Sequence, residues 1–367
     1  MSAARFHALL DWNRRASDLV AEVRSAPAAP NESITPKVWL GESMAAVRHL
    51  QVEAARSTAA PGTIVSMTPQ SLAIATLSHD VTLTQFTTLD GRPLTVRQLA
   101  RTARLREGLV LPHFPATSLD AAIAGACDSS EEARWLDDWR HLKPIGTPFA
   151  AADTSDAIAG DFAALPGLSQ GLATTTDAAA FAFAVVLIWL ARSAAAERFD
   201  VGLRFARTDL LPGAHHLLAG TRPFRVDADF ARTFEWFSRD CDARLAAWKK
   251  RKPYARDAVP RDPLLHQPRG WRDFASWPVA IELPGEGRYC APDEPSGLTL
   301  AITAGCGAVR LRRDQWQTAQ RERLAAQLAT LAKDCAARPW ARLDDLALLP
   351  HAELAALGSE VWGSPVK

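Results

Sequence analysis

Cysteine is scarce in this chain of 367 residues: Cys127, Cys241, Cys290, Cys306 and Cys335 are few, odd in number and widely spaced. No CxxC pair occurs, and no Cys/His cluster has zinc-ligand spacing. A disulfide scaffold and a structural zinc site are therefore excluded. Reduced, mostly structural thiols in a cytoplasmic protein are the expectation. Net charge is also lacking, with 42 Lys+Arg against 41 Asp+Glu. That argues against a general attraction to nucleic acid or to an acidic membrane. The most apolar stretch, Ala178 to Leu190, is 13 residues and too short to span a bilayer. The N-terminus has no apolar stretch of the kind a signal peptide needs. Catalytic signatures are missing as well. There is no glycine-rich phosphate loop, no GxGxxG after a strand, no HExxH, no GxSxG and no Cys-His constellation. No cofactor and no metal is expected.

What is present is an ordinary globular composition, 48% hydrophobic and 23% charged. It carries enough apolar surface to offset the entropy of ordering. The length suggests two or three domains. Residues 5–26 carry an apolar stripe (Phe6, Leu9, Trp12, Ala16, Leu19, Val20 and Val23) that predicts a helix, ended by Pro27 and Pro30. From Thr35 to about Leu111 the runs VWLG, GTIVSM, LAIAT and VTLTQF read as short strands. Pro61-Gly62 and Asp90-Gly91 punctuate them, which suggests a small barrel or compact sheet. A helix is predicted next, in LTVRQLARTARLREG.

The segment PHFPATS is a linker candidate, and Ser118 a cap for the stretch after it. SSEEARWLDDWRHL predicts a helix with Trp135 and Trp139 on one face. TTTDAAAF caps the apolar helix that follows. RFDVGLRFAR, TRPFRVDA, WPVAIEL, LTLAIT and AVRLRR predict strands. Asp229 to Lys252 and Gln317 to Ala336 predict long helices, and residues 253–275 a loop.

Two features tempt a functional reading. His215 and His216 are adjacent, and an imidazole titrates near neutral pH as a general base must. A loop before a strand is the plainer account of them. The run Lys249 to Lys252, with Arg256, Arg261, Arg269 and Arg272 nearby, could meet an acidic partner. Cations also simply suit a helix C-terminus.

Two families are resembled. KVWLGESMAAV and PGTIVSMTPQSLAIATLSHDVTLTQFTTLDGRPL resemble the small C-terminal β-domain of methionyl-tRNA and aminosugar formyltransferases. Lys37, Trp39, Pro61, Gly62, Thr63, Val65, Leu72, Ile74, Leu83, Asp90, Gly91 and Leu94 carry that likeness, over residues 8–112. The formyltransferase catalytic domain, with its HxSLLPxxRG stretch, is absent. Formyl transfer is not expected from this chain alone.

Residues 130–365 resemble the C-terminal lobe of condensation domains of nonribosomal peptide synthetases, which has the chloramphenicol-acetyltransferase-like α/β fold. Gly202 and Arg207 match its glycine and arginine loosely. HHLLAGTRPFRV stands where the family has VGxFxNTxPxRV, with Thr221, Pro223, Arg225 and Val226 matching. His216 takes the place of the family's glycine and Gly220 that of its asparagine, which gives the His-His pair a non-catalytic place. RPWARLDDLALLPHAELAAL resembles the exit of a condensation domain into an adenylation domain, with Leu348, Leu349 and Glu353 on its pattern. The front lobe and its HHxxxDG motif are missing, and KKRKPYARDA replaces the HQDYPFE-type segment.

The fold expected from these resemblances is α/β (α+β): a small formyltransferase-C-like β-barrel over residues 1–112 and a condensation-like half-domain over 113–350. A linker towards an adenylation domain follows at 351–367. The resemblance implies a non-catalytic pseudoenzyme region at the start of a synthetase, with an adenylation domain in the same chain as its partner. Trp340, Leu346, Leu349 and Trp362 are the candidate interface anchors. Two alternatives stand beside this. One is an acyl-transfer enzyme completed by a partner chain, with His215, His216 and Arg207 as its candidates. The other is a module recruiting a formyltransferase or a carrier protein. Neither nucleic acid nor a membrane is an expected partner.

Overall fold

The computed structural model describes residues 9–26, 35–41, 43–89, 93–113, 127–146, 162–165, 177–205, 217–256, 258–265, 277–283, 296–303, 308–312, 317–351 and 353–355. They divide into two compact units. The first takes residues 1–137, 209–220 and 252–272, and the second takes 138–208, 221–251 and 273–367. It is a mixed α/β structure.

The first unit is built on a curled sheet of β1 (Lys37–Trp39), β2 (Met44–Val52), β3 (Ile64–Met67), β4 (Ser71–Ile74), β5 (Val81–Thr87) and β6 (Pro93–Leu94). Its order is β1-β2-β5-β4-β3, with β6 beside β5, and every pairing is antiparallel. The outer edge of β3 is not bare. Ile64 N–H donates to the Leu109 carbonyl, and Leu111 N–H to that of Gly62. Gly62 has φ +85°, and a Cβ there would lie 3.3 Å from the Trp12 ring, so glycine serves both the turn and the close approach. Helix α1 (Ala16–Ser25) buries Ala16, Leu19 and Val23 and packs on β2. Helix α2 (Val96–Ala103) opens on a Thr95/Gln98 capping box and buries Val96, Leu99 and Ala103.

The helix expected over 5–26 begins only at Ala16, within the described residues. Its predicted first half is spent on the sheet instead: Leu10 N–H donates to Lys37, and the Trp12 carbonyl accepts from Leu77. Strand β2, MAAVRHLQV, is not legible in the sequence: its small Ala45-Ala46 start and the adjacent polar pair Arg48-His49 break the strict alternation that marks a half-buried strand.

Helix α3 (Ser129–Arg140) forms as the SSEEARWLDDWR pattern predicts. In the first unit, the buried Trp135 donates its indole N–H to the Lys252 carbonyl at 2.9 Å. Its ring stands 5.8 Å from that of Tyr254.

The second unit is a six-stranded mixed sheet. Its strands are β7 (Phe162–Ala164), β8 (Arg198–Phe205), β9 (Thr221–Asp227), β10 (Trp277–Leu283), β11 (Ser296–Ile302) and β12 (Val309–Arg312), in the order β7-β12-β11-β10-β8-β9. Strand β10 runs parallel to both β11 and β8, and the remaining pairs are antiparallel. Helix α4 (Ala178–Ser193) starts on Asp177, whose carboxylate accepts from the N–H groups of Ala179 and Ala180. Residues 181–191 are buried on every side, because this helix packs against strand β11, α5 (Phe234–Lys250) and α7 (Thr318–Ala337). The expected loop at 253–275 holds a short turn of helix, α6 (Ala258–Arg261), and a 3₁₀ turn, Pro263–Leu265.

Candidate functional site

The described residues of the second unit place functional interest on its C-terminal segment, residues 338–355. Helix α5 starts on Thr233, whose side chain accepts from Trp236 N–H. The preceding two N–H groups of its first turn have no partner within the helix. Here Phe234 N–H donates to the Ala341 carbonyl at 3.0 Å and Glu235 N–H to that of Pro339 at 2.8 Å. Thr233 and Arg342 form an antiparallel bridge, and Leu343 N–H donates to Arg232. The tail is thus bonded to a helix start that needs carbonyl acceptors.

Trp340 stands between those two carbonyls, 70% exposed. The helix turn it lies on carries Trp236, 43% exposed, whose ring has the Arg232 guanidinium 5.0 Å above it. Two indoles therefore face solvent on one rigidly bonded turn. The chain then runs back along α7. Leu346 is buried, and its carbonyl accepts from Arg192. Ala347 N–H donates to Asp334 Oδ2 at 2.6 Å, and Arg338 Nε to Asp334 Oδ1 at 2.7 Å. The hydrogen bond from Arg338 holds the Asp334 carboxyl below its ordinary range. Desolvation lowers Arg192 from its ordinary value. Glu353 closes the path, accepting from Gln327 Nε2 at 3.1 Å and from Arg323.

Of the anchors named from sequence, Trp340 is exposed, Leu346 is buried and Leu349 is half-buried. Trp362 lies outside the described residues, as do Arg207, His215, His216 and the Pro112–Ser118 linker beyond His113. In the run Lys249 to Lys252 the three lysines are exposed and Arg251 is half-buried. Arg251 pairs with Asp138 at 2.7 Å, its carbonyl accepts from Arg222, and Lys249 lies over the Phe205 ring.

Sequence reasoning passed over Asp200, which is 2% exposed. Its carboxylate accepts from Arg225 Nε at 3.0 Å, Arg225 Nη2 at 3.2 Å and Lys143 N–H at 2.6 Å. Asp200 and Arg225 are direct register partners on β8 and β9. The sequence offers no clear signal for this pair, because the two strands also carry Arg198, Arg204, Arg222 and Asp227. A carboxylate so fully engaged has a structural role, not that of a general base. Burial raises the thiols of Cys241 and Cys335, which disfavours their nucleophilic form. Among the described residues, no group of three or more His, Cys, Asp or Glu side chains could hold a metal. Nor is any helix among them long and apolar enough to cross a membrane.

Residues 6–104 match the family described as Formyl transferase, C-terminal domain. Among curated proteins, none matches. Similar solved structures include the starter condensation domain of rhizomide synthetase RzmA, as a mutant in complex with C8-CoA. It is 16% identical with a TM-score of 0.45, over 76% of this chain and 72% of that one. The first condensation domain of the calcium-dependent antibiotic synthetase is similar at 14% identity and a TM-score of 0.45, over 77% and 70%. The four-domain nonribosomal peptide synthetase holo-AB3403, bound to AMP and glycine, is similar at 11% identity and a TM-score of 0.43, over 75% and 25%. Both resemblances read from the sequence thus recur in the comparisons.

Proposed function

We propose that this chain is a non-catalytic docking region of a cytoplasmic nonribosomal peptide synthetase, forming a platform for an adenylation domain in the same polypeptide. On this reading residues 1–112 are the formyltransferase-C-like β-barrel. Residues 113–350 are a condensation half-domain of chloramphenicol-acetyltransferase-like fold, and 351–367 lead towards the adenylation domain. The observation that carries the proposal is Trp340: a large apolar side chain, 70% exposed, on a segment bonded at both flanks to a helix N-terminus. An exposed tryptophan on a backbone already fixed at both flanks has less backbone entropy to lose on association and suits an interface hot spot. The motif residues Thr221, Pro223, Arg225, Val226, Leu348, Leu349 and Glu353 support the family reading, and the match over 6–104 supports the β-domain.

Loss of the front lobe removes one wall and the base of a two-lobed channel. General acid–base work alone contributes roughly 10²–10⁴-fold. The chain is therefore expected to show no amide formation when supplied with a carrier-protein thioester and an amine acceptor. Turnover above the uncatalysed rate, abolished by His216→Ala, would overturn the non-catalytic reading and establish the enzyme alternative.

A further inference from the structure

The tail is held at two places whose chemistry differs. The upper place is Arg192 on the Leu346 carbonyl and Asp334 on Ala347 N–H. The lower is a relay of side chains. Trp189, fully buried on α4, donates its indole N–H to Gln327 Oε1 at 3.0 Å. Gln327, 5% exposed on α7, donates from Nε2 to the Glu353 carboxylate oxygens at 3.1 and 3.2 Å. An indole can only donate. It therefore fixes which way the Gln327 amide points: oxygen towards Trp189, NH₂ towards the tail. The tail side of Gln327 then offers donors only. Arg323, also on Glu353, adds a second, positively charged donor.

We infer that Gln327, oriented by Trp189, makes an acceptor-selective latch for the side chain at position 353, and that this latch opens independently of the upper clasp. Residues 348–355 are then a detachable strap. Opening it frees eight residues, a gain in reach of about 28 Å at full extension for the segment that follows. The upper clasp keeps Trp340 in place while this happens. Closure is favoured because a buried amide left without its partner forfeits a hydrogen bond to a charged group.

The test is amide hydrogen exchange on the whole chain, read at Leu354, whose N–H bonds Pro350, and at Ala347 on the upper clasp. Glu353→Gln keeps an acceptor and is expected to leave exchange at Leu354 near wild type. Glu353→Lys presents donors to donors and is expected to speed it about tenfold or more. Exchange at Ala347 stays unchanged in both. Trp189→Phe frees the amide to turn. Its combination with Glu353→Lys is therefore expected to speed exchange at Leu354 by less than the product of the two single effects. Both Glu353 variants alter only the tail and leave the core intact. Equal loosening by Gln and Lys, multiplicative effects with Trp189→Phe, or joint loosening of Ala347 and Leu354 would each overturn the inference.

Discussion

At Gly202 strand β8 has no room for a side chain. A Cβ there would lie 2.5 Å from Thr221 Cγ2 and 2.7 Å from Trp277 Cδ2, and the Trp277 ring is itself packed, tilted by 55°, with its centroid 5.2 Å from that of Trp139. Gly202→Ala is expected to cost about 1–3 kcal/mol by overpacking, read as a lower urea midpoint. Gln85 and Arg104 show the converse, with φ of 57° and 52°. Gln85 sits where β5 leaves β4 at Thr84 and takes up β6 at Phe86, so the strand must bend there. Arg104 closes α2 in the left-handed conformation. Gln85→Gly and Arg104→Gly are each expected to stabilise by about 1 kcal/mol or slightly less, raising the same midpoint. Glycine was legible at 202 from the resemblance. The two left-handed residues were not, because nothing in LTQFT or ARLRE demands a positive φ. Tertiary pairing imposes it.

Between residue and element lies the Asp334 clasp. Its carboxyl is held below the ordinary value of 3.8, chiefly by the Arg338 hydrogen bond. A carboxyl depressed by folding adds stability that is present above its unfolded pKa and lost as pH falls through the folded one. The difference in melting temperature between the wild type and Asp334→Asn is therefore expected to be full near neutrality and to vanish well below pH 3.8. A difference that is constant across this range would show that the clasp is not ionic.

Elements with strong local signals were the most legible. Asp177 before an apolar run predicts helix α4, and the β-branched run around Val279 predicts strand β10; both formed as read. The first helix was not legible in extent. Its stripe continues through Leu9 and Trp12, yet these residues are buried against the first sheet rather than along a helix. Side-chain periodicity cannot tell a helix face from residues that reach a sheet one at a time. The tail carried a short-helix signal and the Leu-Leu-x-x-x-Glu pattern, but its route did not. The acceptors for the α5 N-terminus lie more than a hundred residues later in the chain, and no local pattern marks such a pairing. Thr233→Ala removes the side-chain acceptor at that turn and is expected to cost about 1 kcal/mol. It should also loosen Trp340, seen as faster exchange of the Phe234 and Glu235 amides.

Among the described residues, Trp340 is the most exposed large hydrophobic side chain, at 70%, and it is on this turn that the proposed platform rests. The most direct measurement is the affinity of this chain for the adenylation domain proposed to follow it, by calorimetry, for wild type and Trp340→Ala. Measurable association is expected, weakening roughly 30-fold or more on truncating Trp340, the cost of a hot spot of about 2 kcal/mol. Glu353→Gln is expected to leave it unchanged. No association, or an affinity indifferent to Trp340, would contradict the platform.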